Sequence, residues 1–138
     1  MLTIHIDGAS RGNPGPSGIG VVIIKNKLII SEYDEFIGKK TNNQAEYAAL
    51  KKALQIASIL DNEITILSDS KLVVSQRKNK YRVRNKQIKI IFREISNLEK
   101  QFRTVIYRYI PRAKNHYADF LANRAIDEAF TPNNSLLT

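Results

Sequence analysis

The sequence has no cysteine, no tryptophan and only two histidines among its 138 residues. Without cysteine, disulfide bonds and thiolate chemistry are excluded, so any metal must bind to oxygen or nitrogen ligands. No apolar run is long enough to cross a bilayer, and the N-terminus lacks the basic and apolar regions of a secretory signal. We therefore expect one cytoplasmic domain over residues 1–130, followed by a flexible C-terminal tail at 131–138.

Acidic residues are also scarce. The 13 Asp and Glu are outnumbered by 22 Lys and Arg, which gives a formal charge of +9. This excess favours a polyanionic partner, although a basic surface that only keeps the protein soluble would give the same balance. Residues 71–93 contain nine basic side chains and no acidic one. We expect residues 76–86, QRKNKYRVRNK, to form a basic loop that binds phosphates without reading sequence.

The apolar pattern predicts strands and helices in the order βββαβααβα. Alternation at 2–7 predicts the first strand, and the β-rich runs 18–25 and 28–38 predict a hairpin. Two further strands are expected at 64–67 and 105–110. Helical periodicity covers 43–60, 70–77, 85–102 and 116–130. The predicted fold is one α/β domain, in which a mixed sheet is covered by helices on both faces.

Four acidic residues lie at predicted strand ends or helix starts: Asp7, Glu46, Asp69 and Asp119. Each has a local explanation. Asp7 can start a turn, and Glu46 can complete a capping box begun by Asn43. Asp69 can be an N-cap, and Asp119 can interact favourably with the helix dipole. Strand ends and helix starts tend to gather along one edge of an α/β sheet, so the four carboxylates are expected to cluster. Clustered carboxylates have raised pKa values unless cations neutralise them, and oxygen ligands suit Mg²⁺ or Mn²⁺.

Four motifs occur in order along most of the chain. They are DGASRGNPGPSGIG at 7–20, TNNQAEYAAL at 41–50, SDS at 68–70, and Asn115 four residues before Asp119 and ahead of LAN at 121–123. Together they resemble the type-1 ribonuclease H family, in a short form without that family's inserted basic helix. The resemblance implies a five-stranded mixed sheet, made of a three-stranded meander and two further strands.

The resemblance also implies an activity, which is endonucleolytic hydrolysis of the RNA strand of RNA/DNA hybrids to give 3′-hydroxyl and 5′-phosphate ends. Asp7, Glu46, Asp69 and Asp119 would be the catalytic residues and the metal ligands. Two Mg²⁺ ions, with Mn²⁺ as a plausible substitute, would lie about 4 Å apart and clamp the scissile phosphate. One ion would activate the attacking water, and the other would stabilise the leaving 3′ oxygen.

Substrate contacts follow from the same resemblance. Gly8, Ser10 and Asn13 would contact the RNA strand, and Asn42 and Asn43 would contact the minor groove of the hybrid. Thr41 would contact a DNA-strand phosphate. Ser70 and Lys71 would contact the nucleic-acid backbone.

The chain departs from the family in the segment before its last acid. Many relatives carry a histidine there in a longer loop, whereas the aligned position in this chain falls near Tyr109. Asn115 and His116 are the candidate auxiliary residues, although a histidine at a helix start is more often structural. The departure bears on the rate of turnover more than on the type of reaction.

Three other hypotheses remain open. The first is a weakly active or inactive hybrid-binding module of the same fold. The second is an exonuclease with an Asp-x-Glu pair, which Ala9 argues against. The third is a domain cut from a reverse transcriptase or transposase. Because the chain begins with methionine and stands alone, we expect a free, monomeric enzyme with no obligate protein partner and no membrane association.

Overall fold

The computed structural model describes residues 1–79 and 83–131. Residues 80–82 of the expected basic loop and 132–138 of the expected tail lie outside them. The elements are β1 (Leu2–Ser10), β2 (Gly15–Lys25), β3 (Leu28–Lys40), α1 (Asn42–Ala57), β4 (Glu63–Ser68), α2 (Lys71–Asn79), α3 (Lys86–Glu99), β5 (Thr104–Tyr109), a 3-10 turn (Arg112–Lys114) and α4 (His116–Ala129). Their order agrees with the predicted order. Within the described residues, no helix combines the length and the apolar character needed to cross a lipid bilayer.

The five strands form one mixed sheet in the order β3-β2-β1-β4-β5. β1, β2 and β3 are an antiparallel meander, whereas β1 pairs with β4, and β4 with β5, in parallel. Because the carboxyl ends of parallel strands lie at one edge, the ends of β1 and β4 are neighbours there. The predicted five-stranded mixed sheet is confirmed.

The interior has two apolar layers, one on each face of the sheet. Leu2, Ile4 and Ile6 are fully buried in a core shared with α1 and α3. On the opposite face of the sheet, Val22 of β2 packs against Ala118 and Leu121 of α4. Burial of each such aliphatic side chain stabilises the fold by about 1.5–3 kcal/mol. Helices therefore cover both faces of the sheet, as predicted.

The first two strands are longer than predicted. The sequence predicts that β1 ends at Asp7 and that a long glycine-rich loop follows. Instead, Asp7 pairs with Gly20, and the antiparallel pairing continues to Ser10 opposite Ser17. Only residues 11–14 connect the two strands, so the prediction of a long loop was wrong.

Glycine is rare within strands, yet Gly18 and Gly20 lie in β2. They lie in the strand because the backbone of α4 packs directly on them. A β-carbon on Gly20 would lie 2.2 Å from the carbonyl oxygen of Ala118, and one on Gly18 would lie 2.3 Å from that of Ala122. The absence of side chains therefore lets α4, which carries Asp119, lie close to the sheet.

The start of α1 also differs from the prediction. Its N-cap is Thr41, whose hydroxyl accepts a hydrogen bond from the Gln44 amide (3.2 Å), while the Gln44 side chain accepts one from the Thr41 amide (2.8 Å). The capping box therefore consists of Thr41 and Gln44, and the predicted pair of Asn43 and Glu46 was wrong. Glu46 is left free of a capping role.

The end of α1 lies before the predicted end at residue 60. The helix ends at Ala57, and Leu60 lies beyond it with 42% of its surface exposed. The rest of the predicted apolar stripe, Leu50, Ala53, Leu54 and Ala57, is buried.

Candidate active site

All four acidic residues singled out from the sequence line one cleft of about 370 Å³. One carboxylate oxygen from each of Asp7, Glu46 and Asp69 lies within 4.8 Å of the others. Asp7 and Glu46 are only 5% and 8% exposed, whereas Asp69 and Asp119 are partly exposed. The structure therefore brings together residues that are up to 112 positions apart in the chain.

The position of Glu46 depends on how closely α1 approaches β1. A β-carbon on Gly8 would lie 2.3 Å from the carbonyl carbon of Ala45. The Gly8 amide donates a hydrogen bond to Glu46 Oε1 over 3.1 Å. Glycine at position 8 thus permits the approach and supplies the donor that orients the Glu46 side chain.

Asp69 follows β4 and is not the N-cap of α2. The Ser70 hydroxyl accepts a hydrogen bond from the Val73 amide (3.2 Å), and the Ser68 hydroxyl accepts one from the Ser70 amide (3.0 Å). The two serines therefore satisfy the start of the helix. The Asp69 carboxylate is left to face the cleft.

Asp119 lies in the first turn of α4, as predicted. Asn123, one turn later, donates a hydrogen bond from Nδ2 to Asp119 Oδ1 (3.3 Å). The guanidinium of Arg112 lies 3.9 Å from the same oxygen and is 82% exposed. Asn123 and Arg112 both line the cleft, and the sequence interpretation assigned a role to neither. The available signals were the position of Asn123 in the LAN motif and that of Arg112 in the short segment before Asp119.

Asn115 is 1% exposed and connects three parts of the site. Its Nδ2 donates to the Ile6 carbonyl oxygen (2.8 Å) and to Asp69 Oδ2 (3.3 Å). Its Oδ1 lies 3.1 Å from His5 Nδ1. The sequence pointed to Asn115 only as an auxiliary residue and interpreted His5 as packing near the site.

The crowding of carboxylates raises the pKa of the two buried ones. For Asp7 the main cause is burial, followed by the negative charges of Glu46 and Asp69 and a hydrogen bond with Asp119. Burial also raises the pKa of Glu46, although the hydrogen bond from Gly8 opposes it. Both groups are therefore harder to ionise than ordinary carboxyl groups unless a cation is present.

One carboxylate oxygen of the cluster lacks a partner. Among the described residues, Glu46 Oε2 is buried without a hydrogen-bond donor. An orphaned acceptor of this kind is unfavourable unless a cation or another donor satisfies it. The donor set consists of carboxylate oxygens, which suits a hard divalent cation such as Mg²⁺ or Mn²⁺.

The predicted substrate contacts near the start of α1 also have structural roles. Asn13 Oδ1 accepts a hydrogen bond from the Asn42 amide (3.0 Å), and the Ser10 hydroxyl donates to the Lys40 carbonyl oxygen (2.8 Å). Asn42 lines the cleft, and Asn43 is exposed in the first turn of α1.

The predicted contact Lys71 and the predicted auxiliary residue His116 do not line the cleft. Lys71 is exposed, and its ammonium lies 5.3 Å from the ring centroid of Tyr109. His116 is exposed at the start of α4 and does not line the cleft.

The basic segment differs from its prediction in two respects. Residues 76–79 belong to α2, so this part of the predicted loop is helical. In addition, Arg77 is only 2% exposed. The other basic side chains that the structure describes in this segment are exposed: Lys71, Lys78, Arg84, Lys86, Lys89 and Arg93.

Arg77 is held in a buried cluster with Glu99 and Tyr107. It forms an ion pair with Glu99, and its Nε donates to Glu99 Oε2 over 3.3 Å. The Tyr107 hydroxyl donates to the same oxygen over 2.5 Å. The Arg77 guanidinium also lies 4.3 Å from the ring centroid of Phe92. Arg77 thus joins α2 to α3 and is not part of the basic surface.

Known proteins match this chain over nearly its whole length. A family model described as reverse transcriptase-like matches residues 5–125. A bifunctional protein of Mycobacterium tuberculosis is 41% identical over 131 residues, which are 93% of this chain and 36% of that protein. Ribonuclease HI of Halobacterium salinarum is 38% identical over 127 residues, which are 91% of this chain and 64% of that protein. The chain thus spans less than two thirds of the length of either relative.

A solved structure also resembles the fold closely. The crystal structure of LC11-RNase H1 in complex with RNA/DNA hybrid has a TM-score of 0.90 and 38% sequence identity to this chain. The match covers 95% of this chain and 100% of that one.

Proposed function

Because the chain belongs to the type-1 ribonuclease H family, we propose that it is a metal-dependent endonuclease that hydrolyses the RNA strand of RNA/DNA hybrids. The products are a 3′-hydroxyl and a 5′-phosphate. The observation that carries the proposal is the cleft in which Asp7, Glu46, Asp69 and Asp119 converge, with Glu46 Oε2 buried and unpaired. Such crowding is unfavourable in itself, which supports a role in binding cations.

Two Mg²⁺ ions, for which Mn²⁺ can substitute, complete the site in this proposal. The four carboxylates would hold them, since an all-oxygen donor set and the orphaned Glu46 oxygen fit such ions. When bound, the ions supply stabilisation of negative charge at the scissile phosphate and lower the pKa of water.

The protein's own residues orient these ligands. The Gly8 amide fixes Glu46 Oε1, the Asn115 amide holds Asp69, and Asn123 holds Asp119. Preorganised ligands avoid reorganisation during the reaction, which is a large part of electrostatic catalysis. The exposed guanidinium of Arg112 at the cleft would attract a phosphate to the carboxylates.

A nucleic-acid duplex is the substrate that this surface fits. The exposed cations of α2 and α3, among them Lys78, Lys86 and Lys89, would contact phosphates without reading bases. The start of α1 offers polar side chains near the cleft, where Asn42 and Asn43 would lie against the minor groove and Thr41 would contact a DNA-strand phosphate. Gly8, Ser10, Asn13, Ser70 and Lys71 complete the proposed substrate contacts. The Gly8 amide is engaged by Glu46, so this residue would contact RNA by close backbone approach.

The proposal includes three further properties. The active form is a monomer, the place of action is the cytoplasm, and neither a membrane nor an obligate protein partner takes part.

The test is incubation with an end-labelled RNA/DNA hybrid and Mg²⁺ or Mn²⁺, beside single-stranded RNA, RNA duplex and DNA duplex. We expect internal cuts in the RNA strand of the hybrid, with 3′-hydroxyl ends. Asp7→Asn should abolish cutting and leave hybrid binding in place. The matched control is Asp61→Asn, the same change at the opposite end of β4 from Asp69.

Two results would contradict the proposal. Binding without cleavage by either metal would favour the inactive hybrid-binding module. Cleavage by Asp7→Asn at the rate of the parent would show that the site has been assigned wrongly.

A further inference from the structure

We infer that His5 is a positioning residue that acts through Asn115 to hold the Asp69 carboxylate and the start of α4. The inference rests on the proposed function, since it assigns to His5 the task of keeping the metal ligands in place. His5 lies on β1, two residues before Asp7 and on the same face of the strand, and it is half-buried. It does not line the cleft, so it acts on the ligands indirectly.

The first step is the orientation of the Asn115 amide. A backbone carbonyl and a carboxylate oxygen can only accept hydrogen bonds from an amide, so the group facing Ile6 and Asp69 must be Nδ2. Its two N–H groups match these two acceptors, at 2.8 and 3.3 Å. The acceptor Oδ1 is thereby directed at His5.

The second step is the tautomer of His5, that is, which ring nitrogen carries the hydrogen. Its Nδ1 lies 3.1 Å from Asn115 Oδ1, which is an acceptor, so Nδ1 must carry the hydrogen and donate it. This donor satisfies the one acceptor that the buried amide has left. An Asn115 side chain rotated by half a turn would direct Oδ1 at the Asp69 carboxylate and Nδ2 at the His5 N–H, and both contacts would repel. His5 therefore reinforces the orientation that the Ile6 and Asp69 acceptors favour, in which Asn115 donates to Asp69.

The third step connects Asn115 to the other ligands. Its own carbonyl oxygen accepts a hydrogen bond from the Asp119 amide over 3.1 Å, in the first turn of α4. Its side chain is anchored on Ile6, the residue before Asp7. Asn115 thus bonds to two of the four acidic residues, Asp69 and Asp119, and to the residue before a third. If the Asn115 side chain lost this orientation, the metal ligands would be displaced, whereas the distant basic surface would be unaffected.

Three substitutions at position 5 separate positioning from packing. His5→Phe keeps an aromatic ring and removes the donor, so Asn115 Oδ1 is left buried and unpaired. His5→Asn places an amide nitrogen at the bond distance of Nδ1 and should restore the donor. His5→Gln is the matched control, because it carries the same amide one bond further from the backbone.

Two measurements need no catalysis. Calorimetric titration of each protein with Mg²⁺ alone gives the metal affinity. The ¹⁵N-resolved side-chain signal of Asn115 reports whether its amide protons remain protected. We expect His5→Phe and His5→Gln to weaken Mg²⁺ binding by about tenfold, the lower end for residues that orient metal ligands, and His5→Asn to stay within about twofold of the parent.

Hybrid cleavage gives the third measurement. In His5→Phe we expect kcat to fall about as much as the metal affinity, with KM for the hybrid unchanged, since the basic surface that binds the duplex is untouched. Thermal unfolding in chelator should show all three variants folded.

The outcomes are distinct. If the parent cuts hybrids and binds Mg²⁺ while His5→Phe matches it in affinity, kcat and Asn115 protection, the positioning role is overturned. Equal losses in all three variants would also overturn it, because packing alone would then explain them. A parent that binds Mg²⁺ without cutting hybrids contradicts the proposed function instead, and the Mg²⁺ titration and the Asn115 signal still decide the role of His5.

Discussion

The Gly8 amide donates a 3.1 Å hydrogen bond to Glu46, and the same glycine leaves no space for a side chain between β1 and α1. We predict that Gly8→Ala forces the two elements apart and displaces Glu46. The expected loss of stability is about 1–3 kcal/mol, as for other overpacked interiors, together with at least about a tenfold loss of hybrid cleavage, since misplaced groups react far more slowly. Urea unfolding and cleavage assays measure the two effects.

The control for this substitution is Gly38→Ala. Gly38 has φ of +78° and no neighbouring atom within 4 Å of an added β-carbon. Alanine there costs on the order of 1 kcal/mol through backbone strain, and cleavage should be unchanged. Equal activity losses in both variants would mean that lowered stability, and not the displaced carboxylate, explains the effect at Gly8.

Asp7→Asn should stabilise the metal-free protein. The pKa of Asp7 is raised in the folded state, chiefly by burial and by Glu46 and Asp69. A group with a raised folded pKa holds its proton more tightly when folded, so stability is lost as pH rises above the unfolded pKa of about 4. The loss is about 1.4 kcal/mol for each pH unit between the unfolded and folded values. Urea unfolding in chelator at pH 5 and pH 8 measures it.

We expect the parent to lose stability between these two pH values and Asp7→Asn to lose less. Saturating Mg²⁺ should reverse the difference at pH 8, because the ion binds the parent and stabilises it by mass action. A parent whose metal-free stability is the same at both pH values would show that neither burial nor the neighbouring carboxylates raise the pKa of Asp7.

Arg77 and Lys78 are adjacent, and we predict opposite effects for them. Arg77→Ala leaves the Glu99 carboxylate in the interior without its partner, which costs about 3–5 kcal/mol. Lys78→Ala changes an exposed residue and should alter stability by no more than about 0.5 kcal/mol. Thermal or urea unfolding distinguishes them, and similar losses in both would contradict the buried cluster of Arg77, Glu99 and Tyr107.

Exposed cations at the start of α3 should set the salt dependence of hybrid binding. Arg84→Gln and Lys86→Gln should each lower the slope of log affinity against log salt by about one. Lys25→Gln, at the far end of β2 from the cleft, is the control and should leave the slope unchanged. Fluorescence anisotropy with a labelled hybrid at several salt concentrations, using Asp7→Asn as the background, gives the slopes without cleavage. If the control lowers the slope as much, the contact surface is not confined to this segment.

The order of the elements could be predicted from the sequence because it depends on local periodicity. The length of β1 and β2 could not. Glycines within a strand become intelligible only from the close packing of α4 on Gly18 and Gly20. That packing is a contact between residues about a hundred positions apart, so no local pattern indicates it.

The acids themselves were identified, but the local explanations for three of them were wrong. Asp7 lies within β1, opposite Gly20, and not at a turn. Thr41 caps α1, where a capping box of Asn43 and Glu46 was predicted. Ser70 caps α2, where Asp69 was predicted to do so. Each motif holds three residues able to cap, and only the helix geometry decides which one does. The bonds from Asn115 to Asp69 and Ile6 span 46 and 109 positions, so no local pattern could have indicated them.

The packing of α4 against Gly18 and Gly20 has a consequence for mutational tolerance. In a saturation library selected for hybrid cleavage, both positions should reject every side chain, alanine included, as strictly as the carboxylates reject substitution. Neither glycine touches the cleft. A map of intolerance alone would therefore assign them to the site, whereas selection for folding in chelator would separate the two groups: the glycines would remain essential, and the acids would become replaceable.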